Sequence, residues 1–479
     1  MLKNMSKPEL TQLANDMASG YAIVKYNHML YLPVHYRTLD LQDPLPPEER
    51  VWIQLPAANL FDLANQTRKV MFYSDSEKTS FYGMVEQAAQ RVDATPGTVL
   101  VVKDGVLREL RADGDLHEPT QEFCPHFIPI PINDDKDTKV EVLATITEWL
   151  DDNEEDAQSL LYHLATVLAT HWSAVKYVLL IGEGRNGKSV LLKMLVDLLG
   201  EHNVSHVTRQ DMAASKSTCL ELQDKLVNIV MDGSSSYLKD SGPEKSLTAG
   251  ETTPIRGLFR SLNTPVRTNG LFLEGLNREP KTGDKSLALQ KRLVRFQFTR
   301  VYELDYTFEA HMRSEPVLGA FLSLLLDHYV KQSEVHSALR PTLTSQMLQI
   351  EQMHSNHKGL QFIAHVEEES MLGANGLIGE LLPTVAKEFK SWRFREGDPA
   401  SWGDKDIEQL LLPLFTTERK SKRINGRVAK VRIITGFSTE TAQLITSLRG
   451  EEADDQASDS TDPVVADGPV PHHEPAATD

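Results

Sequence analysis

The sequence predicts an α/β fold centred on a parallel sheet flanked by helices, and three observations carry that expectation. A short apolar run, Tyr177–Ile181, leads into a glycine-rich turn and then a helical pattern from Val190 to Leu199, apolar at 191, 192, 195, 198 and 199. Three more apolar runs of strand length follow at 226–232, 270–277 and 292–298, with gaps long enough for crossover connections. Near the C-terminus, helical patterns at 382–394 and 404–414 precede alternating Val and Ile residues around Asn425-Gly426, a hairpin turn signal.

The remaining elements are assigned in chain order. Residues 1–138 read as an accessory α+β region, punctuated by Pro44, Pro46 and Pro47, with a hairpin around Asp104-Gly105 and an extended stretch at Pro125, Pro129 and Pro131. Residues 139–173 read as a helical lead-in, with Leu143, Ile146, Trp149 and Leu150 followed by Leu160, Leu161, Leu164 and Leu168. The core is expected over 174–335 and ends in an apolar helix from Pro316 to Glu334. Residues 336–440 read as a helical segment and a small C-terminal domain, and 441–479 as a disordered acidic tail.

Composition bounds the setting. The net charge is −18, and the last 29 residues supply half of it, with nine acids and no Lys or Arg. Cys124 and Cys219 lie far apart without zinc-like spacing, so a reduced, cytoplasmic setting is expected. No run approaches membrane-spanning length and the N-terminus has no signal-peptide core, so no membrane association is expected.

The glycine-rich turn is Gly182-Glu183-Gly184-Arg185-Asn186-Gly187-Lys188-Ser189, which reads G-x-x-x-x-G-K-S, with Val190 continuing into the helix. Glycines let the backbone curl until several N–H groups face one anion, and the following helix adds its positive end. Lys188 is expected to reach the β and γ phosphates of ATP, and the Ser189 hydroxyl to hold Mg²⁺. The metal needs a second protein contact at the end of another apolar strand, and Asp232 fits. Asn277 ends a third strand and is able to orient an attacking water; Arg292 opens the fourth.

In this order the residues resemble the superfamily 3 DNA helicases of phages, plasmids and large DNA viruses, the poxvirus-type primase–helicase branch in particular. Gly182 to Ser189, Asn186 included, matches that branch's G-x-G-x-N-G-K-S. Lys245 to Glu251 is similar to its K-x-L-x-x-G-D element, Asn277-Arg278-Glu279-Pro280 to N-x-x-P, and Asp284-Lys285 with Lys291 to Phe296 to its paired-basic segment. The resemblance covers about residues 95 to 440. It implies an AAA+-like P-loop NTPase core in a hexameric ring, with Asn277 at the sensor position and Arg292 as an arginine finger reaching a neighbour's γ-phosphate. The acidic strand end departs from the pattern. Relatives usually carry two adjacent acids there; this chain has Met231-Asp232-Gly233, with Glu251 as a possible substitute.

Two basic segments are expected to meet DNA. The family's pore hairpin corresponds to Ile255–Arg267, where Arg256, Arg260 and Arg267 surround Phe259. Near the C-terminus, Arg419, Lys420, Lys422, Arg423, Arg427, Lys430 and Arg432 place seven cations within fourteen residues around the hairpin, the outline of a winged helix. The expectation is an ATP-dependent replicative helicase moving on single-stranded and forked DNA, in a bacterial host cytoplasm if phage-encoded, with the acidic tail as a solubilising segment or a docking arm for replication proteins. The alternatives are a nucleotide-switched initiator or loader with weak hydrolysis, kept open by Met231, and a fused primase–helicase. The latter is disfavoured because residues 1–140 are short for a primase catalytic domain and offer no clear Asp-x-Asp metal pair on a strand.

Overall fold

In a computed structural model the described residues are 6–40, 49–72, 74–94, 97–120, 123–169, 177–236, 238, 242–256, 263–268, 270–280, 292–329, 339, 341–356, 358–369, 377–395, 404–424, 427–438 and 441. They belong to two compact units, Met1–Gln361 and Phe362–Asp479. The Asn425-Gly426 turn, Phe259, Arg260, Asp284 to Lys291 and the acidic tail lie outside the described residues, and only the backbone is described for Arg256, Lys422, Arg423 and Arg427.

The first unit begins with α1 (Lys7–Gly20), opened by a reciprocal Ser6–Glu9 capping box. Four strands, β1 (Val24–Tyr26), β2 (Met29–His35), β3 (Arg50–Gln54) and β4 (Gln90–Arg91), form a sheet ordered β3-β2-β1-β4. Between its last two strands run α2 (Ala57–Arg68) and α3 (Asp75–Ala88). A second sheet follows, ordered β7-β6-β5-β8, from β5 (Val99–Lys103), β6 (Val106–Leu110), β7 (Leu116–His117) and β8 (Phe127–Pro131). Asp104 and Gly105 have φ of +52° and +72°. That is the two-residue turn whose twist matches a hairpin, as the Asp-Gly pair predicts. Then come α4 (Lys136–Trp149) and α5 (Glu154–Ala165), capped by the side chains of Asp135 and Asn153.

The central sheet is built from β9 (Tyr177–Ile181), β10 (Val204–Ser205), β11 (Val227–Val230), β14 (Leu271–Leu276) and β15 (Leu293–Gln297). Its order is β10-β11-β14-β9-β15, and every neighbouring pair is parallel. The helices α6 (Lys188–Leu199), α7 (Arg209–Ala214) and α8 (Gly242–Thr248) lie in its connections. A separate antiparallel hairpin, β12 (Thr253–Arg256) with β13 (Asn263–Val266), precedes β14. The core strands read as continuous apolar runs because both faces are covered. Val178, Leu180, Ile229, Leu273 and Phe296 pack with the α4, α5 and α6 residues and with α9 (Glu315–Asp327); Tyr177, Leu179, Phe272 and Leu276 pack against Met212, Leu222 and Leu247.

The second unit contains α10 (Leu382–Arg395), α11 (Asp404–Leu411) and an antiparallel pair, β16 (Phe415–Ile424) and β17 (Arg427–Phe437). Phe362, Phe389 and Trp392 pack as an aromatic cluster, with Leu382, Val385, Ile407, Leu411 and Ile434 also buried. Among the described residues no helix is long and apolar enough to cross a membrane, and Cys124 and Cys219 are buried and form no disulfide.

Candidate nucleotide-binding site

Because the central strands are parallel, their C-terminal ends share one edge, the edge at which α/β sheets bind ligands. Gly182 leaves β9, Asp232 follows β11 by two residues, and Asn277 immediately follows β14. β14 pairs with both β9 and β11, so Asn277 leaves the strand that separates the glycine-rich loop from Asp232. Asp232, Asn277 and Ser189 are exposed there.

The loop is held by close packing. A Cβ on Gly182 would lie 2.0 Å from the Phe298 carbonyl oxygen, and one on Gly187 would lie 2.6 Å from the Trp149 indole. Gly187 also has φ +88°, and Arg185, a non-glycine residue, has φ +64°, backbone strain of the sort that collects at ligand sites. Two hydrogen bonds strap the loop to the segment after β15: Asn186 Nδ2 donates to the Phe298 carbonyl at 3.0 Å and the Tyr302 amide to the Arg185 carbonyl at 2.8 Å. Gly187→Ala is therefore expected to cost about 2 kcal/mol or more in urea unfolding, while Gly184→Ala, where an added Cβ meets open space, stays within about 0.5 kcal/mol. Equal effects would mean that the Trp149 floor does not constrain the loop.

The Lys188 ammonium donates to the Gly182 carbonyl at 2.6 Å, to Asn186 Oδ1 at 2.8 Å and to the Glu183 carbonyl at 3.2 Å. Burial strips water from the amine and lowers its pKa to about 8, and the Asp232 charge opposes that shift. Arg278, next to Asn277, reaches Glu183 at 3.4 Å across the loop mouth.

Arg292 sits elsewhere. It directly precedes β15, and its carbonyl accepts from the amide of Tyr177, the first residue of β9, so it lies at the strand-start edge. The structure thus gathers Gly182–Ser189, Asp232 and Asn277 and leaves the same chain's Arg292 across the sheet. Glu251 directly precedes Thr252, which lines a cavity at that same distant edge.

Beneath the strand ends lies a buried ionic cluster that the sequence reading missed. Arg295 on β15 grips Glu279 with two hydrogen bonds, Nε–Oε2 at 2.7 Å and Nη2–Oε1 at 2.9 Å, both side chains almost fully buried. Arg209 and Glu244 form a second buried pair at 3.1 Å. Glu274 on β14 is wholly buried, with the Tyr177 hydroxyl facing it, and among the described residues neither of its oxygens has a partner of good hydrogen-bond geometry. Burial pushes its carboxyl up to about 7; the Arg209 charge opposes this, and Glu244 and Glu279 add to it. Its Oε1 fills the space a side chain on residue 233 would take, 2.1 Å from a Cβ placed there, so Gly233 and Glu274 are sterically matched. The sequence does hold a signal: a charge inside an otherwise apolar strand, as at Glu274 and Arg295, needs a buried partner or a shifted pKa.

In the second unit the register sets Arg419 opposite Arg432 and Ser421 opposite Lys430. Arg419, Lys420 and Lys430 are exposed; Lys420 pairs with Glu418 at 2.9 Å.

No family model matches the chain, and no curated protein matches it. Among solved structures, one of the NrS-1 C-terminal region is similar at 13% identity, covering 80% of this chain and 91% of that one, with a TM-score of 0.42. Another of the same region is 11% identical, covers 90% of this chain and 100% of that one, and gives 0.44. Likeness at this level decides neither family nor activity.

Proposed function

We propose that the chain is an ATP-dependent DNA helicase of replication, built on a P-loop NTPase core and working as a ring on single-stranded DNA. One observation carries the reading: a G-x-x-x-x-G-K-S loop, an acidic strand end and a polar strand end come from three adjacent parallel strands at one edge. The residues suit a triphosphate and its metal. Side chains are excluded at 182 and 187, and among the described residues the loop amides from Glu183 to Gly187 meet no protein acceptor. Ser189 and Asp232 would hold Mg²⁺, which neutralises phosphate charge when bound. Lys188 would exchange the loop's own oxygens for phosphate oxygens, and the Asn277 amide would orient the water that attacks the γ-phosphorus. Arg292, at the far edge, is suited to act only on a neighbouring subunit, which couples hydrolysis to assembly. The basic β16–β17 pair, behind two helices in winged-helix order, supports phosphate contact with DNA.

A second reading, a nucleotide-switched initiator or loader with slow hydrolysis, is favoured by one observation. The carboxylate lying against the Asp232-Gly233 strand end is Glu274, which is fully buried. Unwinding of a forked duplex by the intact chain and by Lys188→Ala separates the two. ATP-dependent strand separation lost in the variant is the expected outcome, with a loss in rate on the order of a hundredfold or more. DNA binding and ring assembly without turnover in the intact chain would favour the switch.

A further inference from the structure

The strand-start edge of the central sheet carries a cavity of about 760 Å³ that the proposed nucleotide chemistry does not use. Leu226 and Gly270 in its wall directly precede β11 and β14, which puts it across the sheet from Gly182–Ser189. The accessory region supplies one side, through the β1–β2 turn and β4; the base of the β12–β13 hairpin supplies another.

Its charge is opposite to that of the chain. Lys25, Arg91, Lys225 and Arg267 line it against two carboxylates, in a protein of net charge −18. Both carboxylates are engaged. Glu86 pairs with Lys25 at 3.1 Å, and Asp224 accepts from Asn27 at 3.0 Å, Tyr31 at 2.9 Å and Gln223 at 2.9 Å. Arg91 and Arg267 are exposed, and among the described residues neither guanidinium has an acceptor. His126, 8% exposed, adds to the same wall a buried Nδ1 that has no hydrogen-bond partner of good geometry among the described residues. Asp224 has φ +55°, a left-handed backbone, and the Asn27 and Tyr31 bonds tie its side chain to the accessory region. Tyr26 completes the wall with a half-buried ring braced by Phe123 at 5.2 Å between centroids.

Cations beside an aromatic face are what single-stranded nucleic acid needs, the backbone taking the charge and a base stacking on the ring. The volume falls within the range of about 300–1,000 Å³ typical of small-ligand sites, enough for one or two nucleotide units. We propose that this cavity binds a phosphate-bearing nucleotide unit, its phosphate met by Arg91 and Arg267 and its base by Tyr26. The site stands on these residues alone and does not depend on what the Gly182–Ser189 loop does.

Fluorescence anisotropy of a labelled oligothymidylate on the full chain tests it, with Arg91→Glu removing a cation and Ala94→Trp filling the cavity without changing charge. Each variant is expected to weaken binding about tenfold or more, and Arg91→Glu to lower the salt slope by about one. A fluorescent ATP analogue, titrated in parallel, is expected to bind both variants like the parent, which separates this site from the loop. Competition identifies the source: displacement by thymidine monophosphate marks a site for a free unit, and displacement by longer strands alone marks a stretch of a strand's path. On the unaltered chain, an oligonucleotide carrying 5-iodouracil is expected to crosslink at Tyr26. Oligothymidylate affinity within about twofold of the parent in the folded variants, or crosslinks confined to other segments, would overturn the proposal.

Discussion

Arg295→Leu is expected to lower the unfolding free energy of the full chain by about 3–5 kcal/mol, because it leaves Glu279 charged and unpaired in the interior. The two side chains are almost completely buried and joined by two hydrogen bonds, the fork geometry in which arginine binds carboxylate best. Glu279→Leu is expected to cost a similar amount. The double replacement should recover most of it, since an apolar pair avoids the desolvation of both ions. Urea unfolding of the four chains reads the coupling, and a single variant costing under about 1 kcal/mol would show that the pair is solvated or replaceable. The consequence reaches the site, because Glu279 lies two residues beyond Asn277. If the chain hydrolyses ATP as proposed, any loosening there is expected to reduce turnover more than nucleotide affinity.

Glu274→Gln should stabilise the chain, and by an amount that depends on pH. The folded carboxyl titrates at about 7 and the unfolded one near its ordinary 4.5. Well below 4.5 both states hold the proton and the ionisation of Glu274 adds no cost. Between those values the native state holds the proton that the unfolded state releases, so stability falls as pH rises. Above about 7 the cost is constant at about 3 kcal/mol. The gain from Gln should thus be small at pH 4.5, grow through pH 6 and level off by pH 8. The groups facing Glu274 are Arg209, Glu244, Glu279 and Tyr177. A gain that is flat with pH would mean that Arg209 keeps the carboxylate ionised throughout.

The α/β architecture was legible wherever one strong local pattern decided an element. Tyr177–Ile181, 226–232, 270–277 and 292–298 read as strands because strands covered on both faces are continuously apolar, and β9, β11, β14 and β15 lie within them. The Asp104-Gly105 hairpin and the helix–helix–hairpin order after residue 382 were legible from turn chemistry and alternation. The sheet formed by β1 to β4 was not. Its strands are short, β1 and β4 having three residues and two, and too few side chains alternate to make a period. Chain order also hides sheet order, so the insertion of β14 between β9 and β11 was invisible even though each strand was recognised. The buried ions were missed for the same reason: Arg295 and Glu279 are sixteen residues apart, and nothing local announces that they face each other.

The sheet order also governs when the loop can exist. Tyr177 pairs with Phe272 and with Leu293, so β9 has no strand partner until β14 and β15 have been synthesised. Such distant pairings carry a large loop-closure cost and slow folding, and an unpaired apolar strand awaiting them invites aggregation. A nascent chain that stops before Gln297 leaves Gly182–Ser189 without Phe298, whose carbonyl Asn186 needs. Shortened chains that retain the whole motif are therefore poor material for binding measurements, and synthesis through at least Tyr302 is the condition for a formed loop.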